Sequence, residues 1–329
     1  MKNTKLKQGR LLDNSYLHHS HTQPLVTIGI CVKDSEFYIQ EVLKSIKEQK
    51  FPHQFIEIII VDDGSKDNTL GYAMSFLSKT DFRYKVFQTE GRGLGLARNI
   101  VVKNAKGKYI VWVDGDMTLS KEFIRKQVEF MEQNSNVGIA KGRYGIGNEK
   151  SLATTLEGLY RTVEDAKRKG RLVSGFLGTG GCICRVGAIK QVGGFDVYIT
   201  GAGEDIDVEN KVRSFGWHLC LTDAVFYEKF RQTFNELWRE YFWFGYGMHF
   251  VHHKYKNIID LYKFLPLSAF LWGVLYSFTA YKLTRKKSAF LLPFYCTFIM
   301  TAWCFGYMKG HFNKYAPRLI KNEFKEPKK

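Results

Sequence analysis

Three acidic clusters have the spacing to do chemistry. Asp62-Asp63-Gly64-Ser65 follows the apolar run FIEIIIV at residues 55–61. Two carboxylates at an Asp-Gly turn, with a Ser/Asp/Asn group behind them, can serve turn and helix-cap chemistry alone. They can equally accept hydrogen bonds from a nucleotide base or ribose. Asp114-Gly115-Asp116 follows KYIVWV at 108–113. Carboxylates one residue apart suit a hard divalent cation, Mg2+ or Mn2+, which takes one or two carboxylates together with substrate phosphates. Gly203-Glu204-Asp205-Ile206-Asp207 opens a helical pattern. Acids there complement the helix dipole, or one of them takes the proton a hydroxyl acceptor loses as it attacks. Arg98, in Gly-Leu-Ala-Arg-Asn-Ile, offers a cation to a pyrophosphate.

The elements that must position these residues follow from hydrophobic spacing. Strand-like runs at 24–32, 55–61, 84–88, 108–113 and 137–144 alternate with helical patterns at 35–50, 70–77, 94–104 and 121–131. Short connections between alternating strands and helices predict an α/β fold, with a parallel sheet covered on both faces. Ligands of such sheets bind beyond the carboxyl ends of the strands, where the first two acid clusters fall. Residues 150–230 are less regular: a helix at 152–169, a glycine-rich stretch turning into a strand at 175–184, a helix at 205–215 and a strand at 217–222. Residues 233–248 form an aromatic-rich helix. No GxxxxGK[ST] or GxSxG occurs, and Gly91-Arg-Gly-Leu-Gly95 lacks GxGxxG spacing.

The 329 residues carry 49 Lys+Arg against 32 Asp+Glu, a net +17. With 45% hydrophobic and 15% aromatic residues, global disorder is excluded. Six Pro and six Cys exclude collagen-like and disulfide-scaffold classes. The charge is uneven: residues 1–225 hold 32 basic and 26 acidic side chains (+6), residues 226–329 hold 17 and 6 (+11). The basic end also contains two uncharged segments, 264–281 and 288–308, near the length needed to cross a bilayer. They predict two transmembrane or re-entrant helices with aromatic and basic flanks. Ten basic residues outside the pair against four in its loop put both flanks in the cytoplasm. The +17 therefore reads as attraction to anionic membrane lipids, with no nucleic acid as partner. The Lys167-Arg168-Lys169-Gly170-Arg171 cluster beside Glu164-Asp165 reads as a solvated helix end or a lipid-phosphate contact. The first 22 residues, with His18, His19 and His21, lack the apolar core of a signal peptide and read as a mobile tail. Six cysteines without a CxxC pair predict reduced, buried thiols in the cytoplasm.

The ordered set VDDGSKDNT, GLGLARN, VDGD, GTGGCICR, GGFD and GEDIDVENKVRSFGW resembles the family 2 glycosyltransferases over roughly residues 25–225. The resemblance implies a GT-A fold, a Rossmann-like, mostly parallel sheet with helices on both faces, here followed by a C-terminal helical membrane hairpin. It implies direct inverting transfer from a nucleotide-sugar donor, a UDP- or GDP-sugar. By that resemblance Val32, Asp34, Asp62, Asp63, Gly64 and Ser65 bind the nucleotide, and Arg98 lies near the donor diphosphate. Asp114 and Gly115 meet the ribose or the metal shell, and Asp116 binds Mg2+ or Mn2+. Asp205 is the base, Glu204 helps orient the acceptor, and Gly180, Gly181 and Trp217 lie on the donor-sugar and acceptor side. Two departures stand out. Cys31-Val32-Lys33-Asp34 replaces a Tyr-Asn-Glu-like motif. Gln232-Thr-Phe-Asn and Trp238-Arg239 stand where processive synthases carry Q-x-x-R-W, which argues against processive synthesis. The expected organisation is a tail at 1–23, a GT-A domain at 24–230, connecting helices at 231–263, the hairpin at 264–308 and a basic tail at 309–329. The expected activity is metal-dependent transfer to a hydroxyl of a lipid-linked sugar or cell-surface glycan at the cytoplasmic face of the cell membrane. The alternatives are transfer to a polyprenyl phosphate, and an inactive, membrane-tethered sugar-nucleotide-binding scaffold.

Overall fold

In a computed structural model, residues 10–14, 23–145, 147, 151–167, 172–199, 202–255, 258 and 260–313 are described. Strands β1 (Arg10–Asn14), β2 (Val26–Val32), β3 (Ile56–Asp62), β4 (Arg83–Gln88) and β5 (Tyr109–Trp112) alternate with helices α1 (Ile39–Lys47), α2 (Thr69–Leu77) and α3 (Leu94–Asn104). Then come β6 (Met117–Leu119), α4 (Phe123–Gln133), β7 (Val137–Tyr144), α5 (Leu152–Lys167), β8 (Cys182–Arg185), α6 (Val186–Gln191), α7 (Glu204–Ser214) and β9 (His218–Glu228). Helices α8 (Phe234–Lys254), α9 (Pro266–Thr284) and α10 (Leu292–Phe312) close the described chain.

Every position of β2 and β3 is buried. That explains their unbroken β-branched runs: both faces of these strands are covered, so no polar alternation is needed. Among the described residues the sheet has nine strands in the order β1-β4-β3-β2-β5-β8-β7-β9-β6. Strands β2, β3, β4 and β5 are mutually parallel, β8 reverses between β5 and β7, and β9 runs parallel to β7. Apolar residues of α1, α2 and α4 form the core on one face. Those of α3, α6 and α7 form it on the other. The carboxyl ends of β2, β3 and β5 thus open on one rim, as the alternating pattern predicts.

Two parts of the chain differ from the sequence expectation. Residues 10–14, assigned to the tail, form β1 and pair antiparallel with β4. A five-residue polar strand carries too little periodicity to be read ahead of the edge it covers. His18, His19 and His21, residues 168–171 of the basic cluster and residues 314–329 of the basic tail lie outside the described residues. The hairpin differs too. Among the described residues one stretch, Lys287–Phe312, is long and apolar enough to cross a membrane, and 56% of its most apolar window is buried inside the molecule.

That burial is against α8 and α9, with α5 touching the same core. Helix α8 begins with a capping box between Thr233 and Glu236. Farther on, Gly245 lies against the Trp303 carbonyl and Gly306 against the Phe242 carbonyl, so glycine lets the α8 and α10 backbones touch. Glu157 of α5, buried, accepts from Arg161 Nε at 2.6 Å, from the Tyr241 hydroxyl at 3.1 Å and from the Tyr295 hydroxyl. One carboxylate thereby ties α5, α8 and α10 together.

Candidate active site

Strand β3 ends in Asp62, whose buried carboxylate accepts from the Ser65 hydroxyl and from Gln88 Nε2 at 3.1 Å. Asp63 accepts from the Thr89 hydroxyl and from the backbone N–H of Arg92 and Gly93, at 2.8 and 2.9 Å. Both carboxylates therefore order the turn and the 89–93 loop, with Gly64 at φ +78°. Asp34, at φ +49°, donates its N–H to Ser65 Oγ at 2.9 Å and accepts from Lys66 N at 2.8 Å. The Val32 carbonyl accepts from Asp63 N at 2.8 Å. Val32, Asp34 and residues 62–65 are thus brought into one wall of the crevice.

The Asp114-Gly115-Asp116 turn follows β5 and forms the next wall. A Cβ at Gly115 would fall 2.7 Å from Ser35 Oγ and 2.9 Å from Val32 Cγ1, so only glycine lets the turn approach β2 this closely. Burial, then the neighbouring Asp114 charge, raises the Asp116 carboxyl to about 6. Burial, then the charge of Asp116, raises Glu228 of β9 to about 7. Arg231 Nη1 lies 3.6 Å from Asp116 Oδ2 and also pairs with Glu240 at 3.1 Å. Asp116 and Glu228, raised by burial and by neighbouring carboxylate charge, stand with Asp114 as a set of oxygen donors, with Arg231 beside Asp116 and Arg98 beside Asp114. Such a set fits a hard divalent cation.

Opposite this wall stands the start of α7. Arg98 of α3 is buried beside the rings of Trp112 and Phe195, at 5.9 and 5.5 Å. It forms an ion pair with buried Glu204 and lies 4.0 Å from Asp114 Oδ1. Burial raises the Glu204 carboxyl, while Arg98 pulls the other way. Arg98 therefore locks the α7 terminus to the wall that carries Asp114. Asp205, more exposed than Glu204, faces the 177–181 loop: a Cβ at Gly178 would sit 3.6 Å from Asp205 Oδ2. That loop is clamped. Glu209 accepts from the N–H of Leu177 and Gly178, both at 2.8 Å, and Lys141 Nζ donates to the Leu177 carbonyl at 2.6 Å. Burial raises Glu209 to about 7. Gly178 and Gly181 adopt φ +73° and +71°. Gly180 presses on the Asp114 carboxylate and Gly181 on the Phe226 ring.

The structure thus gathers the predicted residues around one rim, with one exception. Trp217 precedes β9 at the opposite, amino end of the sheet, where its Nε1 donates to Gln191 at 2.8 Å and Arg185 lies 5.8 Å from its ring. It does not join the site. Sequence reasoning missed Glu228, Arg231, Lys141 and Glu209. Only the Glu228/Arg231 pair, straddling a strand end, gave a signal that could have been read. Arg231, Glu236, Arg239, Glu240 and Trp243 line a groove of about 400 Å³ reached from Asp116 through Arg231.

Residues 27–193 match the family model described as glycosyl transferase family 2, just over half of the chain. Poly(ribitol-phosphate) beta-N-acetylglucosaminyltransferase TarS of Staphylococcus aureus is 34% identical over 122 residues, 36% of this chain and 21% of TarS. Poly-beta-1,6-N-acetyl-D-glucosamine synthase of Staphylococcus epidermidis is 24% identical over 227 residues, 68% of this chain and 54% of that one. The chain thus spans from about a fifth to about half the length of these relatives. Among solved structures, the mannosyltransferase PcManGT from Pyrobaculum calidifontis, in complex with GDP-Man and Mn2+, superposes with a TM-score of 0.66 at 17% identity over 89% of both chains. Its likeness carries the fold, and the family match carries the class. The chain belongs to glycosyltransferase family 2 and is a glycosyltransferase with the GT-A fold.

Proposed function

We propose that this glycosyltransferase moves a sugar, with inversion, from a UDP- or GDP-sugar to a hydroxyl acceptor at the cytoplasmic face of a membrane. The observation that carries the reading is the Arg98–Glu204 pair. It fixes the start of α7 beside Asp114 and leaves Asp205 as the carboxylate at that terminus without a cation partner among the described residues. The 34, 62–66 and 89–93 turns shape the nucleoside end. Asp116 and Asp114, with Glu228 behind them, would hold Mg2+ or Mn2+. When bound, the cation neutralises charge on the diphosphate leaving group. Asp205 accepts the proton of the attacking hydroxyl, and Glu204 keeps its backbone in place through Arg98. The clamped 177–181 loop closes the sugar side.

The acceptor groove lies on α8, and the exposed face of the next two helices is apolar: Leu267, Leu271, Leu275, Phe278, Phe294 and Phe312. Lys282, Arg285, Lys286 and Lys287 sit at its edge. Such a face with a basic border fits anionic lipid, and an acceptor carried on lipid or on a surface glycan would reach the groove along it. The curated relatives named above, TarS and the poly-beta-1,6-N-acetyl-D-glucosamine synthase, bear names of enzymes of polymers, poly(ribitol-phosphate) and poly-N-acetylglucosamine. All six thiols are free and at least partly buried, in keeping with the cytoplasm.

Arg231 and Arg239 in the groove favour one second reading, a polyprenyl-phosphate acceptor, which is already an anion and needs no base. The test is a panel of nucleotide sugars with Mn2+, read as nucleoside diphosphate released with and without extracted membrane lipid. Asp116→Ala should abolish turnover. Asp205→Asn should abolish transfer while donor binding persists. Turnover retained by Asp205→Asn refutes the base and selects the phosphate acceptor. Donor binding without turnover of any sugar selects the inactive scaffold.

A further inference from the structure

Helices α8 and α10 bring together three imidazoles that the reaction does not use. His249 and His253 lie one turn apart on α8, so both point the same way. Their Nε2 atoms are 3.1 Å apart and their ring centroids 4.4 Å. His311 comes from the last turn of α10, with its ring 5.6 Å from that of His249. One ligand atom from each of the three falls within 4.8 Å of the others. Gly310 allows this approach: a Cβ there would lie 3.0 Å from His249 Cβ.

We propose that His249, His253 and His311 form a binding site for a borderline divalent transition metal of the Zn2+ class. Zinc–imidazole bonds of about 2.0–2.1 Å in a tetrahedron put adjacent nitrogens about 3.3 Å apart, close to the spacing His249 and His253 already have. An all-imidazole set without a carboxylate selects zinc, nickel or copper over the Mg2+ or Mn2+ suited to the oxygen donors of Asp114 and Asp116. His249 is buried, while His253 and His311 are exposed, so the ion has an entry path and a fourth position open to water. The site would cross-link α8 to the end of α10. The same stretch of α8 supports the active-site terminus from its other side, with Gly247 against the Ala202 carbonyl and Gly203 against Val251.

The test uses the full chain, purified without a histidine tag. It carries Asp116→Asn, His18→Gln, His19→Gln and His21→Gln to remove competing ligands. After chelator treatment it is loaded with Zn2+, and with Co2+ for its visible spectrum. We expect one Zn2+ per chain retained through desalting, and visible bands of four-coordinate Co2+. His253→Gln or His311→Gln, both at exposed positions, should weaken Zn2+ binding at least about tenfold and remove the bands. A chain that retains no zinc, or zinc and cobalt signals unchanged by both substitutions, overturns the site. Circular dichroism of each variant shows that α8 and α10 remain folded.

Discussion

Gly180→Ala tests whether the crevice is as tightly assembled as its geometry indicates. Position 180 has no positive φ, so alanine is allowed by the backbone. The new methyl would sit 2.8 Å from Met117 Cε and closer still to Asp114 Oδ2. Relaxed carbon contacts lie at about 3.5–4.0 Å, so the Asp114 carboxylate or the loop must move by the order of 1 Å. A shift of that size at a positioned group costs about 100-fold in rate, which is about 2.7 kcal/mol in the barrier. Stability should change little, because Gly180 is only partly buried and lies in a loop. The control is Gly187→Ala on α6, where a Cβ meets nothing within 4 Å and alanine suits the helix. Turnover of both variants is measured at saturating donor and Mn2+, beside their melting temperatures. If Gly180→Ala runs within about twofold of the wild type, Asp114 is not held where the reaction needs it, and the proposed metal-site wall is wrong.

Three further outcomes follow from burial and packing. Arg98→Met leaves Glu204 buried beside an uncharged side chain and should cost about 3–5 kcal/mol of stability in denaturant melts; adding Glu204→Gln should recover much of it, and a purely additive double variant would disprove the coupling. Glu209 titrates near 7 when folded and near 4.5 ordinarily, so the folded chain holds a proton the unfolded chain has released. Its contribution to stability therefore falls as pH rises from about 4.5 to about 7 and is flat above; Glu209→Gln should remove that slope from melting temperatures taken across pH. Gly306→Ala drives a methyl into the Phe242 carbonyl and should destabilise the chain by about 1–3 kcal/mol, with α10 released to proteolysis first.

Much of the scaffold is readable because its physics is local. Val26–Val32 and Ile56–Asp62 announce themselves as buried strands, and the acid pairs that end β3 and follow β5 fall where such strands present ligands. What the acids do is not local. Asp62 and Asp63 look alike in sequence, yet both turn inward to hold the 62–65 and 89–93 turns. Arg98 and Glu204 stand 106 positions apart, and only the fold reveals that the cation meets a carboxylate inside the protein. Glu209 and Lys141 look like ordinary surface residues until the 177–181 loop lies over them. Trp217 was misplaced because a motif fixes order along the chain, and its tryptophan lies past the far end of α7.

The proposed membrane seat rests on the same kind of non-local fact. An apolar run reports that a helix avoids water, not which neighbour it meets. Helix α10 meets α8 at Gly245 and Gly306, and α5 through Glu157. Were α10 to cross a bilayer, α8 would have to follow it, carrying Glu236, Arg239 and Glu240 toward hydrocarbon. Each such charge costs about 2.5–3.5 kcal/mol at the membrane centre, even on the lowest scale. The side of the layer facing away from α8 is where Leu267, Leu271, Leu275 and Phe294 stand exposed. Lying flat, that face can sink into the headgroup boundary while the charged residues of α8 stay wet. A flat seat also removes the difficulty of the basic 282–287 loop. Four cations that would have to pass through the membrane in a spanning hairpin instead remain on the side of the anionic headgroups.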